Sequence, residues 1–139
     1  MPRAYLDACV AIYYVERHPT LYLRVQAALF RPGGEDVCPV FSDLTRMECR
    51  VLPLRRQDQP LLTRYDSFFN LPDSGHVAMD AAVFDLATEL RARHVLKTPD
   101  ALHLAAAILS GCDEFWTNDN RLNKAAQGRI AVVAFDQTI

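Results

Sequence analysis

Short apolar runs alternate along this chain with longer stretches in which apolar residues recur at helical spacing, and the breaks between them are sharp. Ala4 to Leu6 is an apolar run that stops at Asp7, after which Val10, Ile12, Tyr13 and Tyr14 recur within Ala8 to Val15. The opening therefore reads as strand, tight turn and helix. His18, Pro19 and Thr20 break that helix, and Leu21, Val25, Ala28 and Leu29 define a second one that ends before Pro32, Gly33 and Gly34. Val37 to Phe41 is the second strand candidate. Ser42 stands where it can cap a helix carrying Leu44, Met47 and Val51 on one face, with Pro53 expected to end or kink it.

Leu61, Leu62, Tyr65, Phe68 and Phe69 mark the next helix, closed by a polar turn at Asn70, Pro72, Asp73 and Gly75. His76 to Met79 is a third, short strand candidate. Asp80 can cap a helix holding Val83, Leu86, Ala87 and Leu90, and Thr98 with Pro99 starts another that runs through Leu102, Ala105, Ala106 and Leu109 to Gly111. Glu114 to Thr117 is a fourth strand, Asn120 to Gln127 a short helix and Ile130 to Phe135 a last strand of β-branched character. Strands separated by helices, with hardly a hairpin signal, predict an α/β sandwich around a mostly parallel sheet. Ligands of such sheets bind in the crevice outside the carboxyl ends of the strands.

Composition narrows the class. A length of 139 residues suits one domain, 1–139, with a single core, and 50% hydrophobic with 23% charged residues is ordinary for a globular chain. The net charge of −2 and pI near 6.0 lack the strongly basic balance of a general nucleic-acid binder, so any such contact is local. No export signal and no apolar stretch of membrane-spanning length is visible, and Cys9, Cys38, Cys49 and Cys112 form neither a CxxC pair nor a zinc pattern. The expectation is four reduced thiols in a cytoplasmic protein with no membrane partner.

Four acids carry the candidate chemistry: Asp7, Glu48, Asp100 and Asp119. Each has a local explanation. Asp7 stands where an N-cap for the first helix belongs, Asp100 in a first helical turn where the dipole favours a negative charge, and Asp119 where a turn precedes the last helix. Glu48, four residues after Leu44 and three before Val51, is expected beside an apolar face, either as a buried carboxylate needing compensation or as a rim residue paired with Arg46 or Arg50. Jointly they suggest more, because Asp7 and Asp119 both end strands and Glu48 lies on a helix that follows another. Periodicity leaves Asp100 unplaced, since a helix precedes it. Clustered carboxylates repel unless a divalent cation neutralises them, and all-oxygen ligands suit Mg2+ or Mn2+, ions that promote phosphodiester hydrolysis.

The segments Tyr5-Leu6-Asp7-Ala8-Cys9, Leu44-Thr45-Arg46-Met47-Glu48, Thr98-Pro99-Asp100-Ala101-Leu102-His103-Leu104-Ala105 and Phe115-Trp116-Thr117-Asn118-Asp119 resemble the PIN-domain family, in order and context most like its VapC-type toxins. The resemblance spans nearly the whole chain. It implies a three-layer PIN-like fold, with a central, mostly parallel sheet of about five strands flanked by helices. It also implies that Asp7, Glu48, Asp100 and Asp119 form a catalytic pocket for Mg2+ or Mn2+, with Thr117 and Asn118 orienting a ligand carboxylate or a water. Such proteins often carry Ser, Thr or Asn within two residues of the first acid, where Ala8 and Cys9 stand here.

The likeness further implies an endoribonuclease toxin with an RNA substrate, a cognate antitoxin and a homodimeric state. Arg46, Arg50, Arg55, Arg56, Lys97 and Arg121 are the basic residues able to meet RNA phosphates. His103, set among Leu102, Leu104 and Ala105, reads as a packed helix residue, and Tyr13, Tyr14, Phe68, Phe69 and Trp116 read as core or interface. One alternative is a non-catalytic module whose acids bind a basic partner segment. A phosphoacceptor or aspartate-nucleophile site finds less support, because Cys9 stands where a second Asp is needed.

Overall fold

The computed structural model describes residues 1–136. Its elements run β1 (Arg3–Leu6), α1 (Ala8–Val15), α2 (Tyr22–Leu29), β2 (Cys38–Ser42), α3 (Asp43–Arg55), α4 (Gln59–Phe69), β3 (Gly75–Val77), α5 (Ala81–Arg93), α6 (Thr98–Leu109), β4 (Glu114–Thr117), α7 (Leu122–Ala126) and β5 (Ala131–Ala134). Among the described residues the five strands form one sheet in the order β3-β2-β1-β4-β5, and every pairing is parallel. The expected mostly parallel sheet is thus wholly parallel there. The third strand begins at Gly75 and stops at Val77, earlier than the apolar run suggests.

Alternation along the central strands builds the three layers. Tyr5, Val40 and Phe115, aligned across β1, β2 and β4, face one side, where α5, α6 and α7 supply Leu86, Leu90, Leu104 and Leu122. Their neighbours Leu6, Phe41 and Trp116 face the other side and pack with Val10, Val25 and Phe68 from α1, α2 and α4. Successive strand residues point to opposite faces, so near-continuous apolar strands are what a sheet covered on both sides requires.

α3 departs from the sequence reading. Ser42 caps it as expected, its hydroxyl accepting from the Thr45 amide. The buried face, however, consists of Thr45, Cys49 and Pro53, whereas Met47 and Val51 are exposed. Apolar residues on this helix lie on two sides, and packing against α4, α1 and β2 covers the side carrying Thr45, Cys49 and Pro53. Pro53 does not end the helix either, which continues to Arg55 with Pro53 on its inward face.

This topology fixes one special place. The chain leaves β1 for β2 and β3 in one direction, then passes through α5 and α6 and returns to lay β4 against the other edge of β1. Strand order reverses between β1 and β4, so a crevice opens outside their carboxyl ends.

Candidate active site

Asp7 lies one residue beyond β1, and Thr117, Asn118 and Asp119 carry the chain off the end of β4. The amide of Asp7 continues the ladder by donating to the Trp116 carbonyl at 2.9 Å, so the two strand ends are joined at the crevice. Asp7 occupies the N-cap position of α1, and its carbonyl accepts from the amides of Val10 and Ala11. Its side chain makes no cap hydrogen bond. The carboxylate, in a residue only 9% exposed, instead accepts from the Thr117 hydroxyl at 3.1 Å, and its other oxygen lies 3.8 Å from Nε2 of His103. A purely capping role for Asp7 is therefore not what the structure shows.

Glu48 also turns inward. Its Oε1 lies 2.5 Å from Nε2 of His103, while Arg46 and Arg50 both reach Asp66 on α4, at 3.7 and 3.2 Å. The rim pairing considered for Glu48 is thus not formed. Among the described residues, Asp7, Glu48 and His103 each offer one ligand atom, and these atoms lie within 4.8 Å of one another.

Asp100 and Asp119 stand outside that close group but act on the same crevice. Burial holds the Asp100 carboxyl above its ordinary pKa, and the neighbouring charges of Asp7 and Asp119 push it further in the same direction. The Asp119 carboxyl is held below its usual value by hydrogen bonds from Arg121, whose guanidinium meets both oxygens at 2.9 and 2.8 Å. Both acids line an open cavity of about 590 Å³ together with Arg93, Lys97, Arg121 and Lys124. Of the basic residues expected to meet phosphates, Lys97 and Arg121 thus flank the acids, whereas Arg46 and Arg50 are engaged elsewhere.

Thr117 is fully buried and holds Asp7, and its hydroxyl oxygen also accepts from the Asp119 amide at 3.3 Å. It provides the contact that Ala8 and Cys9, lacking a hydroxyl or amide side chain, do not. Asn118 donates to the Tyr13 hydroxyl at 3.3 Å. A divalent cation fits the donor set, because two carboxylates converge there and a third, Asp100, is disfavoured as an anion by burial and then by its neighbours' negative charge.

His103 and Tyr5 were missed as parts of this site. Residues 101–107 of α6 are all buried, so His103 is a polar side chain within a helical segment buried on every side. That pattern is the available signal, since a buried imidazole needs a partner. Arg93 and Lys124 give no such signal; only the folding of α5 and α7 around the cavity brings them to the acids.

An all-parallel three-layer sheet with carboxylates gathered at its topological switch point defines the class as an α/β protein with an acidic pocket. The PIN domain family model matches residues 4–128, and the chain belongs to that family. No curated protein matches it. Among solved structures, VapBC2 from Rickettsia felis bound to a promoter DNA fragment matches with a TM-score of 0.73 at 14% identity, covering 96% of this chain and 99% of that one. A toxin–antitoxin complex from Klebsiella pneumoniae matches with a TM-score of 0.67 at 21% identity, covering 97% and 99%. VapC20 of Mycobacterium tuberculosis, a toxin that cleaves the sarcin–ricin loop, matches with a TM-score of 0.70 at 14% identity over 88% and 94%. At these identities the similarity is one of fold.

Proposed function

We propose that this chain is a metal-dependent endoribonuclease, the toxin of a toxin–antitoxin pair, that hydrolyses RNA phosphodiester bonds. The observation that carries the reading is the convergence of Asp7 and Glu48 at the switch-point crevice, with Asp100 and Asp119 beside them on the wall of one cavity. Membership of the PIN family and the toxins among the matched folds support it. The reading extends to a cognate antitoxin, to a homodimer and to residues 1–139 as one domain.

In this mechanism Asp7, Glu48, Asp100 and Asp119 hold Mg2+ or Mn2+. When bound, such an ion supplies Lewis acidity toward the phosphodiester and toward water. Thr117 fixes the orientation of Asp7. Lys97 and Arg121, joined by Arg93 and Lys124, hold substrate phosphates along the cavity wall, placing positive charge beside the acids in a chain whose overall charge is slightly negative. Local charge then replaces a basic surface as the means of binding RNA.

The test is cleavage of total RNA by the purified protein. Cleavage requires Mg2+ or Mn2+, stops with chelator and is lost in Asp7→Asn and Asp100→Asn. Undiminished cleavage in both variants, or in excess chelator, removes the proposal.

A further inference from the structure

His103 lies at the centre of a buried chain of hydrogen bonds whose protons can be assigned one by one. Its Nδ1 is 2.6 Å from the Tyr5 hydroxyl, and its Nε2 is 2.5 Å from Oε1 of Glu48. The Tyr5 hydroxyl is in turn 2.7 Å from the Ser42 hydroxyl, which accepts from the Thr45 amide at 3.3 Å. Thr45 sends its own hydroxyl proton to the Leu6 carbonyl, also at 3.3 Å. A carboxylate only accepts, so the short contact to Glu48 puts a proton on Nε2. With the ring neutral, Nδ1 accepts, which makes Tyr5 a donor to His103 and leaves it accepting from Ser42. In this arrangement every hydroxyl proton in the chain has an acceptor.

The chain ties four elements to one carboxylate: Tyr5 on β1, Ser42 at the end of β2, Thr45 and Glu48 on α3, and His103 on α6. His103 is 1% exposed and Ser42 and Thr45 are fully buried, so the network is enclosed while Glu48 remains half-buried at its mouth.

We infer that His103 is a positioning residue: its Nε2–H holds one oxygen of Glu48 so that this carboxylate and Asp7 converge on a single divalent cation, and Tyr5 fixes the imidazole tautomer that makes this possible. The inference rests on the metal-binding part of the proposed function. It assigns His103 the role of orienting a ligand rather than being one. Residues that orient metal ligands commonly change metal affinity about ten- to a hundredfold when removed.

The test measures Mn2+ binding by the electron paramagnetic resonance signal of free Mn2+ in the intact protein, with thermal unfolding in chelator as a check on folding. His103→Leu is expected to weaken Mn2+ binding about tenfold or more. His103→Gln, whose amide can still donate to Glu48, recovers most of that loss, and Tyr5→Phe gives a smaller loss in the same direction. In a Glu48→Gln background, His103→Leu adds little, because its target is gone. Wild-type affinity in His103→Leu, or an equally large loss in the Glu48→Gln background, overturns the inference. So does nitrogen hyperfine coupling to the bound Mn2+, which would make His103 a ligand. If His103→Leu does not fold, His103→Gln and Tyr5→Phe decide: a loss as large in His103→Gln as in a metal-ligand variant, or no loss in Tyr5→Phe, overturns it. A wild-type protein that binds no Mn2+ and cuts no RNA brings down the proposed function and this inference together. Normal wild-type binding and cleavage with unaffected His103 variants brings down this inference alone.

Discussion

Thr117→Val isolates the interaction that holds Asp7 at the crevice. The substitution keeps the shape of a β-branched side chain at the end of β4 and removes a hydroxyl that is fully buried and donates to the Asp7 carboxylate at 3.1 Å. A hydrogen bond to a charged group is worth about 1.5–3 kcal/mol, and the acceptor left behind is too enclosed for water to replace the donor fully. The Asp119 amide loses an acceptor as well, but its 3.3 Å contact lies nearer the surface and adds little. The expected cost is therefore about 2 kcal/mol in chelator. For a chain of this length that lowers the unfolding midpoint by about 5–10 °C.

The assay is thermal and urea unfolding of wild type, Thr117→Val, Thr117→Ser and the two Thr117 variants combined with Asp7→Ala. Thr117→Ser keeps the donor and should lose less than half as much. In the Asp7→Ala background the valine substitution should cost much less, since coupled neighbours give interaction terms of about 0.5–3 kcal/mol. Saturating Mg2+ or Mn2+ should also shrink the difference, because a cation at Asp7 takes over the role of the lost dipole. A valine variant as stable as wild type, or a loss of the same size without Asp7, would refute the assignment of Thr117 as the anchor of Asp7.

The other predictions concern the cavity wall. Asp100 has its pKa raised in the fold, so its ionised form costs stability once pH rises through the folded value, and full stability returns below the unfolded one. Asp100→Asn should therefore unfold at a higher temperature than wild type in chelator near neutral pH, with the gap closing as pH falls into the carboxylate range; no gap at neutral pH contradicts this. Arg121 competes with any cation for both oxygens of Asp119, so Arg121→Gln should tighten Mn2+ binding while raising KM for RNA. Weaker Mn2+ binding would show instead that Arg121 supports the site. Lys97→Ala and Lys124→Ala should raise KM and flatten its dependence on salt with little change in kcat, as expected when phosphate contacts are removed.

The site could be read from the sequence in proportion to how local its causes are. Asp7 and Asp119 follow strand ends, and strand ends are visible as apolar runs stopped by polar residues. The apolar spacing that places Glu48 near the interior is not what holds it there, since Met47 and Val51 are exposed. The inward face of α3 carries Thr45, Cys49 and Pro53, and what draws Glu48 inward is His103 on a helix 55 residues further along. Asp100 depends on α5 and α6 lying between β3 and β4, so that the start of α6 meets an edge built by other strands. Only the resemblance supplied that placement. The cations Arg93 and Lys124 come from two separate helices whose adjacency no periodicity encodes.

Where the buried polar residues lie argues that the crevice is built for chemistry rather than for stability. Among the described residues the buried polar or charged ones are Asp7, Ser42, Thr45, His103 and Thr117, and every one belongs to the hydrogen-bonded network around Asp7 and Glu48. Replaced all together by apolar groups of similar volume, these residues would commonly leave stability unchanged or raised, although removing one partner alone leaves the other buried and unpaired. A chain under pressure for stability alone would have no reason to collect these residues where β1 and β4 end, and still less to set Asp100 where Asp7 and Asp119 repel it. The rest of the sheet is conventionally apolar, with Leu6, Phe41 and Trp116 on one face and Val40 and Phe115 on the other. The cost is confined to the one edge where the topology opens a crevice. A bound cation would turn that local repulsion into attraction, so metal should stabilise the fold through the same carboxylates that destabilise it when metal is withheld.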